Sequence, residues 1–108
     1  MGESLDLDRV RRAIRARRVD WQRHALERMA ERHIARTEAF QVLLAGERIE
    51  DYPDTVPFPS ALFLGWSGPR PLHVVVAYDS SKDRVFVITV YDPDLEHFEP
   101  DFKTRRAP

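Results

Sequence analysis

Two valine-rich segments joined by a short polar turn place the strongest constraint on how this chain can fold. Residues 72–78 and 84–91 are rich in β-branched and aromatic side chains, which favour strands. The residues between them, 79–83, are polar and typical of a turn. The pattern predicts an antiparallel hairpin in the middle of a sheet.

The register of this hairpin predicts which side chains share a face. If the turn is centred on Ser81, His73 lies opposite Thr89, and Tyr91 follows two residues further along on the same face. We therefore expect a polar trio at one end of an otherwise apolar face, as at the rim of a site.

Helices are predicted in the first half of the chain, before any strong strand. The capping residues predict three of them: one from Ser4 to about Arg18, one from Asp20 to about Arg32, and one from Thr37 to a stop at Gly46. The first has a thin apolar side, so we expect it to lie across the surface. A weakly alternating segment, 48–52, and an apolar strand, 61–66, follow. This order predicts an α+β fold.

Length and composition limit the class of protein. A chain of 108 residues with 43% hydrophobic content is large enough for one core and too small for two. No segment approaches the roughly 18 apolar residues of a membrane span, and the polar N-terminus does not resemble a signal peptide. We therefore expect a cytoplasmic protein that does not bind membranes. With no cysteine, disulfides and thiolate chemistry are excluded.

Charge is unevenly distributed along the chain although its net value is only −1. Residues 1–36 contain ten arginines and six acids, a net charge of +4, and residues 37–102 have a net charge of −8. Residues 103–108 add +3. The composition does not indicate a globally basic nucleic-acid binder, but it allows a localised cationic surface.

A histidine and two arginines are spaced to lie on one stripe of the second predicted helix. His24, Arg28 and Arg32 stand four residues apart, so their side chains face the same way. An adjacent apolar stripe contains Trp21, Ala25, Met29 and Ala30. The helix could therefore pack on a core and present its cationic stripe to a cleft.

These residue types can cleave RNA without a metal. The reaction needs a base for the 2′-hydroxyl proton, an acid for the leaving 5′-oxygen, and cations for the phosphorane. His24 and His73 can serve as acid or base, and Arg28 and Arg32 can bind phosphate. Tyr91 or Thr89 can donate a hydrogen bond.

The same residues could instead have roles that involve no catalysis. His24 could be an exposed helical histidine and His73 a half-buried strand histidine, and Arg28 and Arg32 could pair with Glu27 and Glu31. A zinc site from His24, His73 and His97 is a further alternative, although no pair has ligand spacing. The His/Arg face could also hold RNA or an acidic protein without cleaving it.

The motifs, in their order and spacing, resemble the bacterial domain of unknown function family 4258 over roughly residues 20–106. They are His24-Ala-x-x-Arg28-Met-x-x-Arg32, Gly46-Glu47-x-Ile49-Glu50-x-Tyr52-Pro53, Arg70-Pro-Leu-His73, Ile88-Thr89-Val90-Tyr91-x-Pro93-Asp94 and Asp101-Phe102-Lys103-x-Arg105. That family is similar to the RelE-like toxin ribonucleases, in a wider group with barnase-type and colicin-type enzymes.

The resemblance implies a fold, an activity and a partner. The fold would be a curved antiparallel sheet of about four strands under N-terminal helices, in one RelE-like domain at 20–108. The Arg-rich helix predicted within residues 1–19 lies outside the resemblance. The activity would be toxin-type RNA cleavage through a 2′,3′-cyclic phosphate, with no metal or cofactor, and the partner a small antitoxin. The implied catalytic residues are His24, Arg28, Arg32, His73 and Tyr91, and the implied substrate-binding residues are Thr89, Lys103 and Arg105.

Overall fold

The computed structural model describes residues 2–107, and this part of the chain forms three helices and five strands. In chain order they are α1 (Leu7–Arg15), β1 (Val19–Trp21), α2 (Arg23–Arg32), α3 (Arg36–Ala45), β2 (Glu47–Tyr52), β3 (Ser60–Ser67), β4 (Arg70–Asp79) and β5 (Arg84–Tyr91). None of these helices is long and apolar enough to cross a membrane.

The strands form one open sheet in the order β1-β5-β4-β3-β2. Strands β2 to β5 pair antiparallel, each with the next strand along the chain, because short connections can join antiparallel neighbours. Strand β1 pairs parallel with β5. The α+β class and the central hairpin are confirmed. The sheet differs from the prediction in having five strands and a mixed arrangement, because β1 was not predicted.

All three helices contribute to one apolar core against the same face of the sheet. The buried side chains of this core include Val10 and Ile14 from α1, Ala25 and Met29 from α2, Val42 and Leu43 from α3, and Leu72, Val74, Val76, Val85, Val87 and Val90 from the strands. Burying each Val, Leu or Ile side chain contributes about 1.5–3 kcal/mol. Helix α1 therefore packs into the core, whereas its sparse apolar stripe had suggested a helix on the surface.

The first helix is shorter than predicted because different residues cap it. Asp6, and not Ser4, is the N-cap, and its side chain accepts a hydrogen bond from the Arg9 N–H at 3.2 Å. At the other end Arg17 adopts a left-handed conformation with φ of 63°, which ends the helix before Arg18.

The second predicted helix is interrupted at its beginning by a strand. Asp20 does not cap it: the residue lies in β1, where its carboxylate accepts hydrogen bonds from Arg84 at 2.8 and 2.9 Å. Helix α2 begins after Gln22. The third helix was predicted from Thr37 but begins at Arg36, and Gly46 is its C-cap as predicted.

A β-bulge in β5 changes the hairpin register. Val76 pairs with Val87 but Val75 pairs with Thr89, so Ile88 is an extra residue in β5. The turn is also centred between Ser81 and Lys82, since Asp79 pairs with Arg84, so the turn and the bulge each shift the predicted register by one residue. His73 therefore lies opposite Tyr91, and the predicted pairing of His73 with Thr89 is wrong. The extra residue also reverses the alternation, so Thr89 and Tyr91 face away from the helices.

The face of the sheet opposite the helices is covered by the end of the chain. Residues 93–107, which we call the C-terminal cover, cross this face, and Phe98 and Arg105 form an isolated antiparallel bridge within it. Phe98 is buried, and its ring packs edge-on against His73 with centroids 4.7 Å apart. The cover therefore encloses a second, smaller cluster behind the sheet.

Candidate functional site

A cleft lies between α2 and the last residues of β5. It exists because β1 pairs only with Val85, Phe86 and Val87, so β5 continues past the end of β1 with no strand on that side in the described part of the chain. The cavity has a volume of about 380 Å³. The α2–β5 cleft is lined by His24, Arg28, Arg32, Thr89, Tyr91, Asp92 and Asp94.

The α2–β5 cleft brings together five of the eight residues predicted for the site. His24, Arg28 and Arg32 come from α2, and Thr89 and Tyr91 come from β5. The helical stripe faces the cleft because Ala25 and Met29, one residue further round the helix, are buried in the core.

Arg28 and Arg32 form no ion pair with the described residues. Neither guanidinium has a carboxylate within 4.0 Å in residues 2–107, and Glu27 pairs with Arg23 at 3.0 Å instead. The alternative in which Glu27 and Glu31 hold these two arginines is therefore wrong. Two cations remain available to an anion in the cleft.

Arg70 fixes the position of α2 against the end of β5. Its guanidinium donates to both Asp92 oxygens at 2.6 and 2.9 Å, and to the carbonyl oxygens of Arg32 at 2.7 Å and His33 at 3.3 Å. The hydrogen bonds from Arg70 lower the pKa of Asp92, which remains an anion paired with Arg70. This contact holds the C-terminal end of α2, and with it Arg32, at the cleft.

Sequence reasoning assigned no role to Arg70 and Asp92. The available signal was a pair of opposite charges, one two residues before a predicted strand and one directly after its hairpin partner. The two residues lie 22 positions apart, and only the hairpin brings them into contact.

Asp94 places a second carboxylate at the cleft, and it is held by its own turn. Oδ1 of Asp94 accepts hydrogen bonds from the His97 ring at 2.8 Å and from the backbone N–H groups of Glu96 and His97 at 3.0 and 2.9 Å. The His97 hydrogen bond lowers the pKa of Asp94. Asp94, Glu96 and His97 offer ligand atoms within 4.8 Å of one another, so they could hold a metal ion, although all three are exposed.

His73 does not line the cleft. It is buried behind the sheet with 0% exposure, where its Nε2 donates to the carbonyl oxygen of Phe102 at 2.7 Å. In this tautomer Nδ1 accepts from the hydroxyl of Tyr91 at 3.3 Å. Burial lowers the pKa of His73 and raises that of Tyr91, so both side chains are neutral.

The position of His73 rules out one of the sequence alternatives and links the residue to the cleft indirectly. A zinc site that combines His24, His73 and His97 is wrong, because both ring nitrogens of His73 are occupied and the ring is enclosed. His73 is linked to the cleft through Tyr91, the one side chain that contacts the histidine and also lines the cleft.

Lys103 and Arg105, predicted to contact phosphate, lie in the C-terminal cover and bind carboxylates of β2. Arg105 donates to Glu50 at 2.7 and 3.0 Å and lies over the Phe98 ring at 4.8 Å. Burial acts to raise the pKa of Glu50, but hydrogen bonds from Arg105 and Tyr52 outweigh it and lower this pKa. Lys103 lies 3.3 Å from Glu47.

Comparison with protein-family models matches residues 21–92 to a family described as "Domain of unknown function (DUF4258)". Comparisons with curated proteins and with solved structures give no match. The matched segment runs from the end of β1 to just beyond β5, so it contains every lining residue of the cleft except Asp94. Helix α1 and the C-terminal cover lie outside it.

Proposed function

Because this chain belongs to the DUF4258 family, as its motifs predicted, and the description of that family assigns no activity, we propose a function from the α2–β5 cleft. The protein is a metal-independent endoribonuclease of toxin type that leaves 2′,3′-cyclic phosphate ends. The observation that carries this proposal is a pair of arginines without carboxylate partners, beside a histidine, in a cleft of about 380 Å³.

The charges in the cleft favour a phosphodiester. Arg28 and Arg32 each present a planar guanidinium that can bind two phosphate oxygens, and charge-assisted bonds of this kind are about twice as strong as neutral ones. The acids of the cleft are engaged elsewhere, Asp92 with Arg70 and Asp94 with His97. A cavity of this size accepts a ligand as large as a nucleotide.

The proposed reaction uses His24 as its base. The imidazole of His24 takes the proton of the 2′-hydroxyl as O2′ attacks phosphorus, and the bond from phosphorus to O5′ breaks. Arg28 and Arg32 stabilise the charge on the phosphorane oxygens. The leaving O5′ takes a proton from water, since the described lining holds no second histidine.

Thr89 and Tyr91 orient the substrate in this proposal. Their half-buried side chains line the cleft together with the cationic stripe. His73 is a positioning residue, because it acts by holding the hydroxyl of Tyr91 and does not itself reach the substrate. Because the proposed reaction uses one base and no protein acid, we expect the cleavage rate to rise with pH along a single limb and not to follow a bell-shaped profile.

The test is incubation of the purified protein with labelled single-stranded RNA in EDTA, beside a copy with 2′-deoxy sugars. We expect cleavage of RNA alone, with cyclic phosphate ends, and loss of cleavage in His24→Ala. Arg23→Gln is the matched control, because this neighbouring arginine is already paired with Glu27. Cleavage of the deoxy copy, or full activity in His24→Ala, would contradict the proposal.

The resemblance to RelE-like toxin ribonucleases supports the biological part of the proposal. RNA is then the substrate, the cytoplasm its location, and a small antitoxin the inhibitor. Expression of the chain should arrest growth, and co-expression of a small neighbouring reading frame should restore it. Arrest that persists in His24→Ala would separate toxicity from the proposed chemistry.

The second candidate is a binding module that holds RNA through the same cleft without cleaving it. The burial of His73 favours this candidate, because it leaves one histidine where acid and base catalysis normally use two groups. Such a module binds RNA with strong salt dependence and forms no product. The same incubation distinguishes the two, since bound but intact RNA supports the module.

A further inference from the structure

The end of α1 carries a second group of arginines, outside the segment that matches the family. Residues 11–18 contain five arginines and no acid. Two of the five are engaged: Arg11 donates to the carbonyl oxygens of Leu43 at 3.0 Å and Gly46 at 2.8 Å, and Arg18 pairs with Asp83 at 3.1 Å. The remaining three are exposed.

These three arginines and one from α3 have no carboxylate within 4.0 Å in residues 2–107. All four, Arg12, Arg15, Arg17 and Arg36, are exposed. Arg17 and Arg36 lie over two aromatic rings that contact each other, and we call these two residues the arginine surface. Like Arg28 and Arg32 in the cleft, they are cations without an ion-pair partner in the described residues, at a different place in the fold.

Aromatic rings hold both members of the arginine surface in place. Arg17 lies over the Phe40 ring at 5.6 Å, and Arg36 lies over the Trp21 ring at 5.5 Å. The two rings contact each other with centroids 5.3 Å apart. An aromatic ring orders a guanidinium without cancelling its charge, unlike a carboxylate, so these two cations are pre-organised for an anion.

The backbone at Arg17 gives an independent reason to look for a role of its side chain. Its φ of 63° is the left-handed conformation at a helix C-terminus that favours glycine. Backbone geometry therefore does not account for an arginine at this position. The guanidinium stacked on Phe40 is what glycine would lack.

We propose that the arginine surface is a second contact for the same single-stranded RNA, binding backbone phosphates of nucleotides that lie beyond those in the cleft. This inference rests on the proposed function for its substrate class. The surface adjoins the cleft along the chain, since Trp21 is three residues before His24 and Arg36 is four residues after Arg32. Guanidinium groups favour a single strand, because they bind phosphates and stack on unpaired bases.

The experiment measures RNA affinity separately from cleavage. The probes are RNAs with methylated 2′-hydroxyls, which cannot form a cyclic phosphate. One is a trinucleotide, which extends little beyond the cleft, and the other is a strand of about 15 nucleotides, near the site size of single-strand binding modules. The variants are Arg17→Gln/Arg36→Gln and Arg28→Gln/Arg32→Gln. Arg23→Gln/Arg106→Gln is the control, with the same change in net charge at arginines that are paired with Glu27 and Glu99.

We expect Arg17→Gln/Arg36→Gln to weaken binding of the long RNA about tenfold and to reduce its salt slope by about 1.4, near 0.7 for each lost phosphate contact. Its affinity for the trinucleotide stays at that of the control. Arg28→Gln/Arg32→Gln weakens binding of both probes. Arg17→Gly should also weaken binding of the long RNA. The Tm of this variant should stay unchanged, because glycine readily adopts the left-handed backbone conformation at this position.

The inference is overturned if Arg17→Gln/Arg36→Gln binds the long RNA as tightly as the control does. It is also overturned if these changes weaken binding of polyglutamate and not of RNA, since the surface then serves an acidic protein. A protein that binds long RNA through the arginine surface but cleaves none contradicts the proposed nuclease and leaves this inference standing.

Discussion

The α2–β5 cleft and the face behind the sheet contain the same kinds of side chain in opposite states. In the cleft, Arg28 and Arg32 have no carboxylate partner among the described residues, and His24 is exposed. Behind the sheet, Arg105 is bound by Glu50 and His73 is fully buried. The residue types are therefore a poor guide to role, and their pairing is a better one.

This difference separates binding from stability. Cations without partners cost the free protein little when exposed, and they gain most from an incoming phosphate. Paired and buried groups already use their hydrogen bonds within the fold, so a ligand has little to gain from them. We expect substitutions in the cleft to affect RNA, and substitutions behind the sheet to affect unfolding.

The largest expected effect is on RNA cleavage in Arg28→Gln/Arg32→Gln. Loss of both guanidiniums, which we propose bind the phosphate, should lower the cleavage rate about 10³-fold, or about 4 kcal/mol of transition-state stabilisation. The thermal midpoint should not change, because neither side chain has an ion pair to lose in the described part of the chain. A cleavage rate within threefold of that of Arg23→Gln would show that the cleft is not the site of the reaction.

Glu50→Ala should have the next largest effect, on stability and not on RNA. It leaves Arg105 and Tyr52 without their common acceptor in a partly buried place, at a cost of about 2 kcal/mol. For a domain of this size that lowers the Tm by about 10 °C. Glu27→Ala, which removes an exposed carboxylate paired with Arg23, is the control and should change Tm by less than about 2 °C.

His73 should make stability depend on pH. Burial lowers its pKa from the ordinary 6.5, so the unfolded chain binds the proton more readily than the folded protein. The contribution of neutral His73 to the free energy of unfolding is therefore fully present above pH 6.5. It is lost as the pH falls below 6.5, by up to about 1.4 kcal/mol per pH unit. Urea unfolding at about pH 7 and about pH 5 measures this loss.

A matched pair of variants assigns that loss to the buried ring. His73→Gln should unfold with a smaller dependence on pH over this range, whereas His24→Gln, at an exposed position, should behave as the unchanged protein does. An equal pH dependence in His73→Gln would show that another group causes it.

The smallest effect is expected for Lys103→Ala. Its 3.3 Å contact with Glu47 joins side chains that are 44% and 58% exposed, so its loss costs less than about 0.5 kcal/mol. RNA cleavage should be unchanged, because Lys103 does not line the cleft. A clear loss of cleavage would instead support the phosphate contact that the family resemblance implies. It would also contradict the expectation that substitutions behind the sheet leave RNA cleavage unchanged.

The sequence predicted the elements that have strong local patterns. The valine-rich hairpin and the i, i+4 stripe of His24, Arg28 and Arg32 are both written in consecutive residues, and both are in the structure. Strand β1 is three residues long, which is too short to show a period. Asp20, within it, mimics a helix cap.

What could not be predicted depends on contacts between distant residues. The hairpin register differs from the predicted one because the turn is centred between Ser81 and Lys82 and because Ile88 is an extra residue, and a bulge follows no simple local pattern. His73 has the same neighbours in sequence whether it is open or enclosed, and the C-terminal cover, about 25 to 30 residues away, is what encloses it. The ion pairs could not be predicted either, since Arg105 and Glu50 are 55 positions apart in the sequence.

The bulge at Ile88 also bears on how molecules of this chain meet one another. The stretch of β5 beyond β1 is an open sheet edge, and a regular edge of this kind invites the strand of another copy to add to it. An extra residue breaks the even spacing of donors and acceptors that such an addition requires. We therefore expect the protein to keep the α2–β5 cleft beside this open edge without polymerising through the edge, and a concentrated sample should remain free of fibrils.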